Sequence, residues 1–514
     1  MATVTRRSFL AGAAASITAA GLHAQNSAPA RASLTLPAQA TGPQMPEDFV
    51  GLSYEVQQLK DPAFFSPRNT GLIRQFQAIS GNGVLRLGGN TSEYEWWKPT
   101  PETPEPRHPE TRVVTGEPQP LYYPVTAEAV RNLDAFLRAA GWKCIYGIGL
   151  GTNVPERAAE EAAFAAKTLG PRLLFFQVGN EVDLFAPHLR NPETWNPQTY
   201  LEQWLRFARA ITGAVPDAKF GMPDVASHLD WLTEIAELWP TIGNPPNVVR
   251  FTHHYYFGGP ATNPRVNIPN LLSPKTAATV EDMADIARAA AGRMGVPLRM
   301  TEGNTCYRGG KPGVSDVFAA ALWAADYSLL LASNGYTGVN LHGGSGPSVA
   351  NSVGGSLPGD TLLRDQGATP DEIASHPHPF YTPVASFGTK YVMEPVAYGL
   401  KFAGLMSGGS FFGDDFSGRL LAAGVDATAY AARMPGGETR VIVLNKDADR
   451  DIALNLNFGA HRHATAEMET LHAAALDSRS AAITASGSDR LSHGRCSITV
   501  GHASGVCLTI RQAH

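Results

Sequence analysis

Two glutamates define what this chain of 514 residues is equipped to do chemically. Glu181 follows the apolar run Leu173-Leu174-Phe175-Phe176-Gln177-Val178 and the turn Gly179-Asn180, and Glu302 follows Leu298-Arg299-Met300-Thr301, 121 positions later. A carboxylic acid and a carboxylate brought face to face can cleave a glycosidic bond. One protonates the leaving oxygen, and where the other attacks the sugar the two lie about 5–5.5 Å apart. The acid must keep its proton near neutral pH, which calls for burial and a negative neighbour. Phe175 and Phe176 suggest an apolar setting for Glu181. The nucleophile must stay ionised and oriented. In Thr252-His253-His254-Tyr255-Tyr256 the strand period of two puts Thr252, His254 and Tyr256 on one face, and with that face inward Tyr256 reaches Glu302. Glu181 alone could equally cap a following helix; the pair, with Asn180 beside the first, argues for chemistry.

Something must hold these groups together. Short apolar runs at Phe49–Ser53, Gly83–Leu87, Lys143–Gly147, Leu173–Val178, Lys219–Met222, Val248–Thr252, Pro297–Thr301 and Gly338–Leu341 read as strands. Between them lie helical patterns. Val130, Leu133 and Leu137 share a face, as do Leu201, Trp204 and Leu205, and the Ala-rich stretches 280–292 and 316–332 are long enough to be helices. Eight strand-helix repeats over about 290 residues predict an α/β fold, a (β/α)8 TIM barrel, whose chemistry sits at the carboxyl ends of the strands. Polar groups follow each strand in turn: Glu55; Gly88-Gly89-Asn90; Gly151-Thr152-Asn153; Gly179-Asn180-Glu181; Asp224; His254 and Tyr256; Glu302; His342. From 395 to 514 the pattern changes to alternating strands at Leu420–Ala432, Thr439–Leu444, Ile452–Phe458, His463–Leu471, Cys496–Val500 and Val506–Ile510, which predicts a C-terminal antiparallel β-sandwich domain. The barrel is expected over 48–394. Residues 26–47 form a linker in which Ala32–Leu36 alternates and could add a strand to the sandwich. Two long irregular loops, 101–120 and 343–379, are of a length that usually lines a site.

Composition narrows the partners. A net charge of −5 supplies no long-range attraction for nucleic acid or an anionic membrane, and four Cys with no C-x-x-C pair offer neither a disulfide scaffold nor a zinc site. Arg6-Arg7-Ser8-Phe9-Leu10 before the small apolar stretch Ala11–Leu22 reads as a twin-arginine export signal over residues 1–25. Cleavage after residue 24 would move the net charge to −7 and place the protein in the periplasm or outside the cell, with no membrane segment left. There Cys496 and Cys507, flanking a stretch that reads as a hairpin, could be bridged or remain two buried thiols. Cys144 and Cys306 read as free thiols.

The motifs FVGLSYE (49–55), LRLGGN (85–90), FFQVGNEV (175–182), THHYY (252–256) and TEGNTCYRGG (301–310) resemble those of the heparanase and β-glucuronidase family, glycoside hydrolase family 79. The resemblance spans Phe49 to about Val392. It implies a retaining barrel enzyme with a C-terminal β-sandwich and no cofactor, acting on a glucuronide or a uronic-acid-containing polysaccharide. Glu181 would be acid/base and Glu302 nucleophile, Asn180 would bond the sugar 2-hydroxyl, and Tyr256 would orient the nucleophile. Glu55 and Asn90 would bond sugar hydroxyls. Tyr307 and the amides of Gly309 and Gly310 would surround the uronate carboxylate, with Arg308 and Lys311 either adding charge or remaining solvated. His254 and His342 also fall at the substrate-binding end. The sequence departs from the family after strand eight, where His342–Val349 keeps Gly346 for a backbone contact but carries no tyrosine. A 4-O-methyl-glucuronide, another acidic sugar or a neutral sugar therefore stays admissible. His376-Pro377-His378-Pro379 either reaches the site or forms a rigid turn.

Three other readings compete. One is a glycosidase of the same clan for a neutral arabinofuranoside or xyloside. Another is a catalytically silent carbohydrate-binding barrel, which would tolerate loss of the carboxylates. The third is a metal-dependent hydrolase using His253, His254 and His342, for which no two form a helical i, i+4 ligand pair.

Overall fold

A computed structural model describes residues 28–512 except 187, 377, 414–415, 417, 420–423, 459–462 and 493, so the export signal expected at 1–25 lies outside the described residues. Eight parallel strands close into a barrel in sequence order: Val50–Glu55, Val84–Gly88, Lys143–Ile148, Leu173–Val178, Phe220–Val225, Val248–Gly258, Leu298–Cys306 and Val339–Gly343. Each is followed by a helix of the outer ring, the eighth being Pro395–Ala403, which packs on the seventh, Phe318–Ser333. The boundary expected at 395 therefore falls at the first residue of the barrel's last helix, and the strands of the C-terminal sheet begin at Ser410. Among the described residues, no helix is long and apolar enough to cross a membrane.

Strands six and seven run further than their apolar runs, to Gly258 and Cys306, because they pair with each other past the site: Glu302 lies opposite His254, Asn304 opposite Tyr256 and Cys306 opposite Gly258. The register shifts between Met300 and Glu302. A bulge of this kind turns two successive side chains to one side; here Thr301 donates to Asp224 and Glu302 accepts from Arg86, so both reach the barrel interior.

The 101–120 segment is irregular, whereas 343–379 contains three short helices, Gly346–Ser352, Pro358–Asp365 and Pro370–Ala374. Each carries Pro in its first turn, where no amide is needed. The two segments meet. Gln119 donates through its amide to the Asn351 carbonyl at 3.4 Å and through Nε2 to the Gly354 carbonyl at 3.1 Å.

The C-terminal strands form a ten-stranded sheet, in which Ala30–Thr35 pairs in parallel with Ile452–Asn457. The hairpin expected around Cys496 and Cys507 does not form. Arg495–Val500 pairs with Ile452–Asn457, and Ser504–Gln512 pairs with Thr439–Asn445 and His463–His472. Cys496 points into the sandwich interior with Leu456 and Val500, Cys507 into the core shared with the barrel, and no disulfide joins them.

That shared core carries a buried charge cluster in which Lys446 pairs with Asp326 and, at 3.4 Å, with Asp426. Asp326 on the seventh helix accepts from Lys446 Nζ, Thr428 Oγ1 and the Tyr430 hydroxyl, each at 2.7 Å, all three from the sheet. Burial favours the neutral acid, but Lys446 and the hydroxyls hold the Asp326 carboxyl below its usual range. Removing one member of a buried pair strands the other. Lys446→Met should lower unfolding stability by about 3–5 kcal/mol in urea titration, and Asp326→Leu added to it should recover part of that loss.

Candidate active site

Arg86 is the centre of the site. Lying between Leu85 and Leu87, it points inward from strand two, and it is 1% exposed. Its Nε donates to Gln177 Oε1 at 2.9 Å, Nη1 to Ser53 Oγ at 3.1 Å and Glu302 Oε2 at 2.7 Å, and Nη2 to Asn180 Oδ1 at 2.6 Å and Asp224 Oδ2 at 2.5 Å. A Cβ on Gly88 would come within 2.1 Å of the guanidinium carbon, so glycine there makes room for it. One planar cation with a rigid fork of donors thus ties strands one, two, four, five and seven together.

The two predicted catalytic acids converge. Ligand-type atoms of Glu181, His254 and Glu302 all lie within 4.8 Å of one another. Glu302 Oε1 accepts from the Tyr256 hydroxyl at 2.7 Å, which leaves both of its oxygens hydrogen-bonded. Burial works against its charge, but His342, His254, Arg86 and the tyrosine bond prevail and hold it well below the usual carboxylate range. Glu181 is shifted the other way. Burial raises it, the bond and charge of His254 lower it, and Glu302 and Asp183 raise it further, for a net rise. Phe175 and Phe176 do not make this setting. Phe175 packs lower in the barrel on Val84 and Ile145, and Phe176 joins the outer core.

His254 stands between two carboxyls, with Nδ1 3.0 Å from Glu181 Oε1 and Nε2 3.1 Å from Asp224 Oδ2. Burial opposes its protonation, yet Asp224 and Glu302 push it up to about 10, so it is an imidazolium at neutral pH. Asp224 is held well below the usual range: burial is outweighed by His254, Arg86 and its hydrogen bonds. His342 lies 3.3 Å from Glu55 Oε1 and 3.5 Å from Glu302 Oε2, and these acids raise it against burial. The three histidines of the metal reading do not converge, because His253 faces outward to the Tyr336 hydroxyl at 2.8 Å.

Glu181 sits in the left-handed region at φ 49°, a conformation that costs a non-glycine residue about 1 kcal/mol or more. Its amide donates to the Asp224 carbonyl at 2.9 Å, and the turn before it hangs on Glu93, which accepts from the amides of Asn180 and Leu150, both at 2.8 Å.

The cleft above these groups encloses about 430 Å³ and is lined by Glu181, Tyr256, Glu302, Tyr307, His342 and Asn90, with Gly116, Glu117, Arg308, Ser352 and Tyr381 at its walls. Asn180 and Glu55 lie beneath it. Asn180 spends its oxygen on Arg86 and the Gly89 amide and donates to Asn90 Oδ1 at 2.7 Å, while Glu55 accepts from the Thr91 amide and hydroxyl. Gly309 and Gly310 follow the cleft-lining Tyr307 and Arg308, both with positive φ, but they are buried and are not themselves among the cleft-lining residues. Gly346 opens a short helix and is not among the cleft-lining residues. His376 and His378 pack on Phe380 and Phe387 instead of reaching the cleft.

Sequence reasoning missed Arg86, Gln177, Glu93 and Tyr381, and assigned no role to Asp224. A charge in the middle of the apolar run LRLGG was a usable signal for Arg86. Tyr381 had none: it returns from the far end of the 343–379 segment, with its ring centroid 6.2 Å from Tyr256 and 5.9 Å from His342, and brings a tyrosine to a cleft wall where the residues right after strand eight have none.

Arg86 neutralises two acids that are ionised in the folded state. Because their folded values lie below the unfolded ones, Asp224 and Glu302 contribute stability above pH about 4 and lose it as the pH falls. In Arg86→Met these acids stay buried with only the histidines to offset them. The variant should lose about 3–5 kcal/mol at pH 8 and distinctly less at pH 5, read as the difference in melting temperature at the two pH values.

No protein-family model matches the chain. It is 28% identical over 371 residues to a β-glucuronidase of Aspergillus niger, an alignment covering 66% of this chain and 67% of that one. In fold it is similar to a 4-O-α-L-rhamnosyl-β-D-glucuronidase from Fusarium oxysporum, at TM-score 0.67 and 16% identity over 93% of this chain and all of the other. A family 51 arabinofuranosidase from Xanthomonas axonopodis pv. citri is similar at TM-score 0.64 and 15% identity over 93% of this chain and 99% of the other. The barrel with its appended sheet is thus an architecture shared by glycoside hydrolases of different sugar preference.

Proposed function

We propose that this chain is an exported β-glucuronidase that releases terminal β-linked glucuronic acid, including its 4-O-methyl form, by double displacement. At the coarser level the chain is a glycoside hydrolase, as its likeness to curated β-glucuronidases and to solved glycosidase structures supports. The observation that carries the finer mechanism is the opposite displacement of two facing carboxyls, Glu181 upward and Glu302 downward, with oxygens within 4.8 Å. That spacing suits direct attack. An interposed water would need about 6.5–9.5 Å between the carboxyls.

In the first step a Glu302 oxygen bonds to the anomeric carbon as the bond to the leaving oxygen breaks, and the Glu181 proton passes to that oxygen. Esterification removes the Glu302 charge. One of the influences raising Glu181 is then gone, while the His254 imidazolium remains to stabilise its carboxylate. In the second step Glu181 takes a proton from water as the water oxygen bonds to the anomeric carbon and releases Glu302. Tyr256 and Arg86 hold Glu302 throughout, so its charge is oriented before substrate arrives. The glucuronide preference draws on Tyr307 and the Gly309 and Gly310 amides, whose positions match the family's carboxylate-binding part.

A panel of nitrophenyl sugars tests the substrate: the β-glucuronide should be turned over best, and a better arabinofuranoside, xyloside or glucoside would replace it with the neutral-sugar reading. Glu302→Ala should lose activity by about 10⁴-fold or more and recover turnover with azide, giving the inverted glycosyl azide; retained activity without azide would remove Glu302 as nucleophile. Loss of protonated Glu181 sets the alkaline limb of the pH profile. His254→Gln deletes the cation that lowers Glu181 and leaves burial and Glu302 raising it, so the alkaline limb of kcat/KM should move up by about one pH unit.

A further inference from the structure

The cations around the cleft are committed to protein partners, with one exception. Arg86 and His254 are bound among Asp224, Glu181 and Glu302, the His342 ring lies between Glu55 and Glu302, and Lys311 Nζ donates to the Val266 carbonyl at 2.7 Å. Arg308 lines the cleft half-buried, yet among the described residues its side chain has no hydrogen bond and no ion pair within 4 Å. Its position is defined all the same. A Cβ on Gly116 would lie 2.8 Å from Arg308 Nη1, so the 101–120 segment backs the guanidinium and a glycine there leaves room for it.

The backbone that carries Arg308 is equally open. Arg308, Gly309 and Gly310 have φ of 59°, 91° and 83°, three successive residues in the left-handed region, and the first is not a glycine. Gly309 and Gly310 are buried; the Gly310 amide closes the turn over residues 307–309, while among the described residues the Gly309 amide has no acceptor. Buried amides of this kind are normally satisfied, by a ligand if not by protein. A cleft-lining guanidinium with no close partner, on a strained turn that also brings Tyr307 to the cleft, can seat a carboxylate. Glu302 is already balanced by Arg86 and His254, and on the cleft wall the charge of Arg308 acts on Glu117 without an ion pair within 4 Å, so Arg308 is the cation best placed to meet an anionic sugar.

Building on the β-glucuronidase reading above, we infer that Arg308 is the specificity-determining residue of this site: it pairs with the carboxylate of the sugar bound over Glu302 and makes an acidic sugar preferred to its neutral counterpart. Tyr307 lines the same cleft, and Arg308 supplies the charge. It touches the part of the sugar remote from the breaking bond, so its contribution is the same in ground and transition states and falls on KM.

The experiment compares full-length wild type, Arg308→Met and Arg308→Lys on 4-nitrophenyl β-glucuronide, 4-nitrophenyl β-glucoside and 4-carboxyphenyl β-glucoside, with melting temperatures recorded for each protein. Arg308→Met should lose about 10- to 100-fold in kcat/KM on the glucuronide, chiefly through KM, and keep its rate on the neutral glucoside. Arg308→Lys should recover part of the loss, and the salt dependence of the glucuronide KM should flatten in Arg308→Met. Equal losses on glucuronide and nitrophenyl glucoside, or an unchanged glucuronide KM, would overturn the inference. So would a loss confined to the carboxyphenyl glucoside, which would assign the cation to the leaving group. If wild type itself does not prefer the glucuronide, the β-glucuronidase reading falls and takes this inference with it; if wild type prefers it and Arg308→Met keeps that preference, only the inference falls.

Discussion

A barrel that brings Glu55, Glu181, Asp224 and Glu302 together at its mouth must balance their charge in a largely buried setting, and the Arg86 guanidinium is the fixed point of that balance. Glu302 and Asp224 accept from it directly, and Asn180 and Gln177 are oriented by it. Its fork reaches five strands at once, which an ammonium group on a flexible stem cannot do. Every other ionisation in the site follows from this anchor. With Asp224 kept negative, His254 is kept positive, and with His254 positive and Glu302 negative, Glu181 feels opposing influences, with burial the largest, whose net effect raises its pKa.

The arrangement joins strain to electrostatics. Glu181 is held in a conformation that its side chain disfavours, by an amide bond to the Asp224 backbone and by Glu93 gripping the preceding turn. Asp224 thereby acts through both its carboxylate, on Arg86 and His254, and its carbonyl, on the Glu181 amide. The bulge before Glu302 does comparable work on the facing side of the barrel, turning Thr301 and Glu302 inward together so that one steadies Asp224 while the other meets Arg86.

The barrel was readable because its strands are continuous apolar runs separated by amphipathic helices, and the paired acids because they sit directly after two such runs. The period of two grouped Thr252, His254 and Tyr256 on one face of strand six, and that face turns inward to Gln177, Glu181 and Glu302. What escaped was information carried by pairing and not by local pattern. Strands six and seven extend over polar residues because each satisfies the other's backbone, and Ala482–Ser492, rich in Ala, Ser and Gly, is a strand only because His463–His472 lies beside it. The supposed Cys496–Cys507 hairpin failed for the same reason, since either strand found other partners. Tyr381 reaches the cleft through a long excursion whose return point no local rule predicts.

The seventh helix, Phe318–Ser333, buries fifteen of its sixteen residues, because barrel strands cover one side and the eighth helix and the C-terminal sheet cover the rest. Its single acid, Asp326, finds its cation in the sheet. The appended sheet is therefore a wall of the barrel and not a passenger. A recombinant fragment ending after the last barrel helix would present a greasy flank and an orphaned carboxylate to solvent, and a swapped sheet from another protein would have to supply both the matching apolar face and an amine at the position of Lys446.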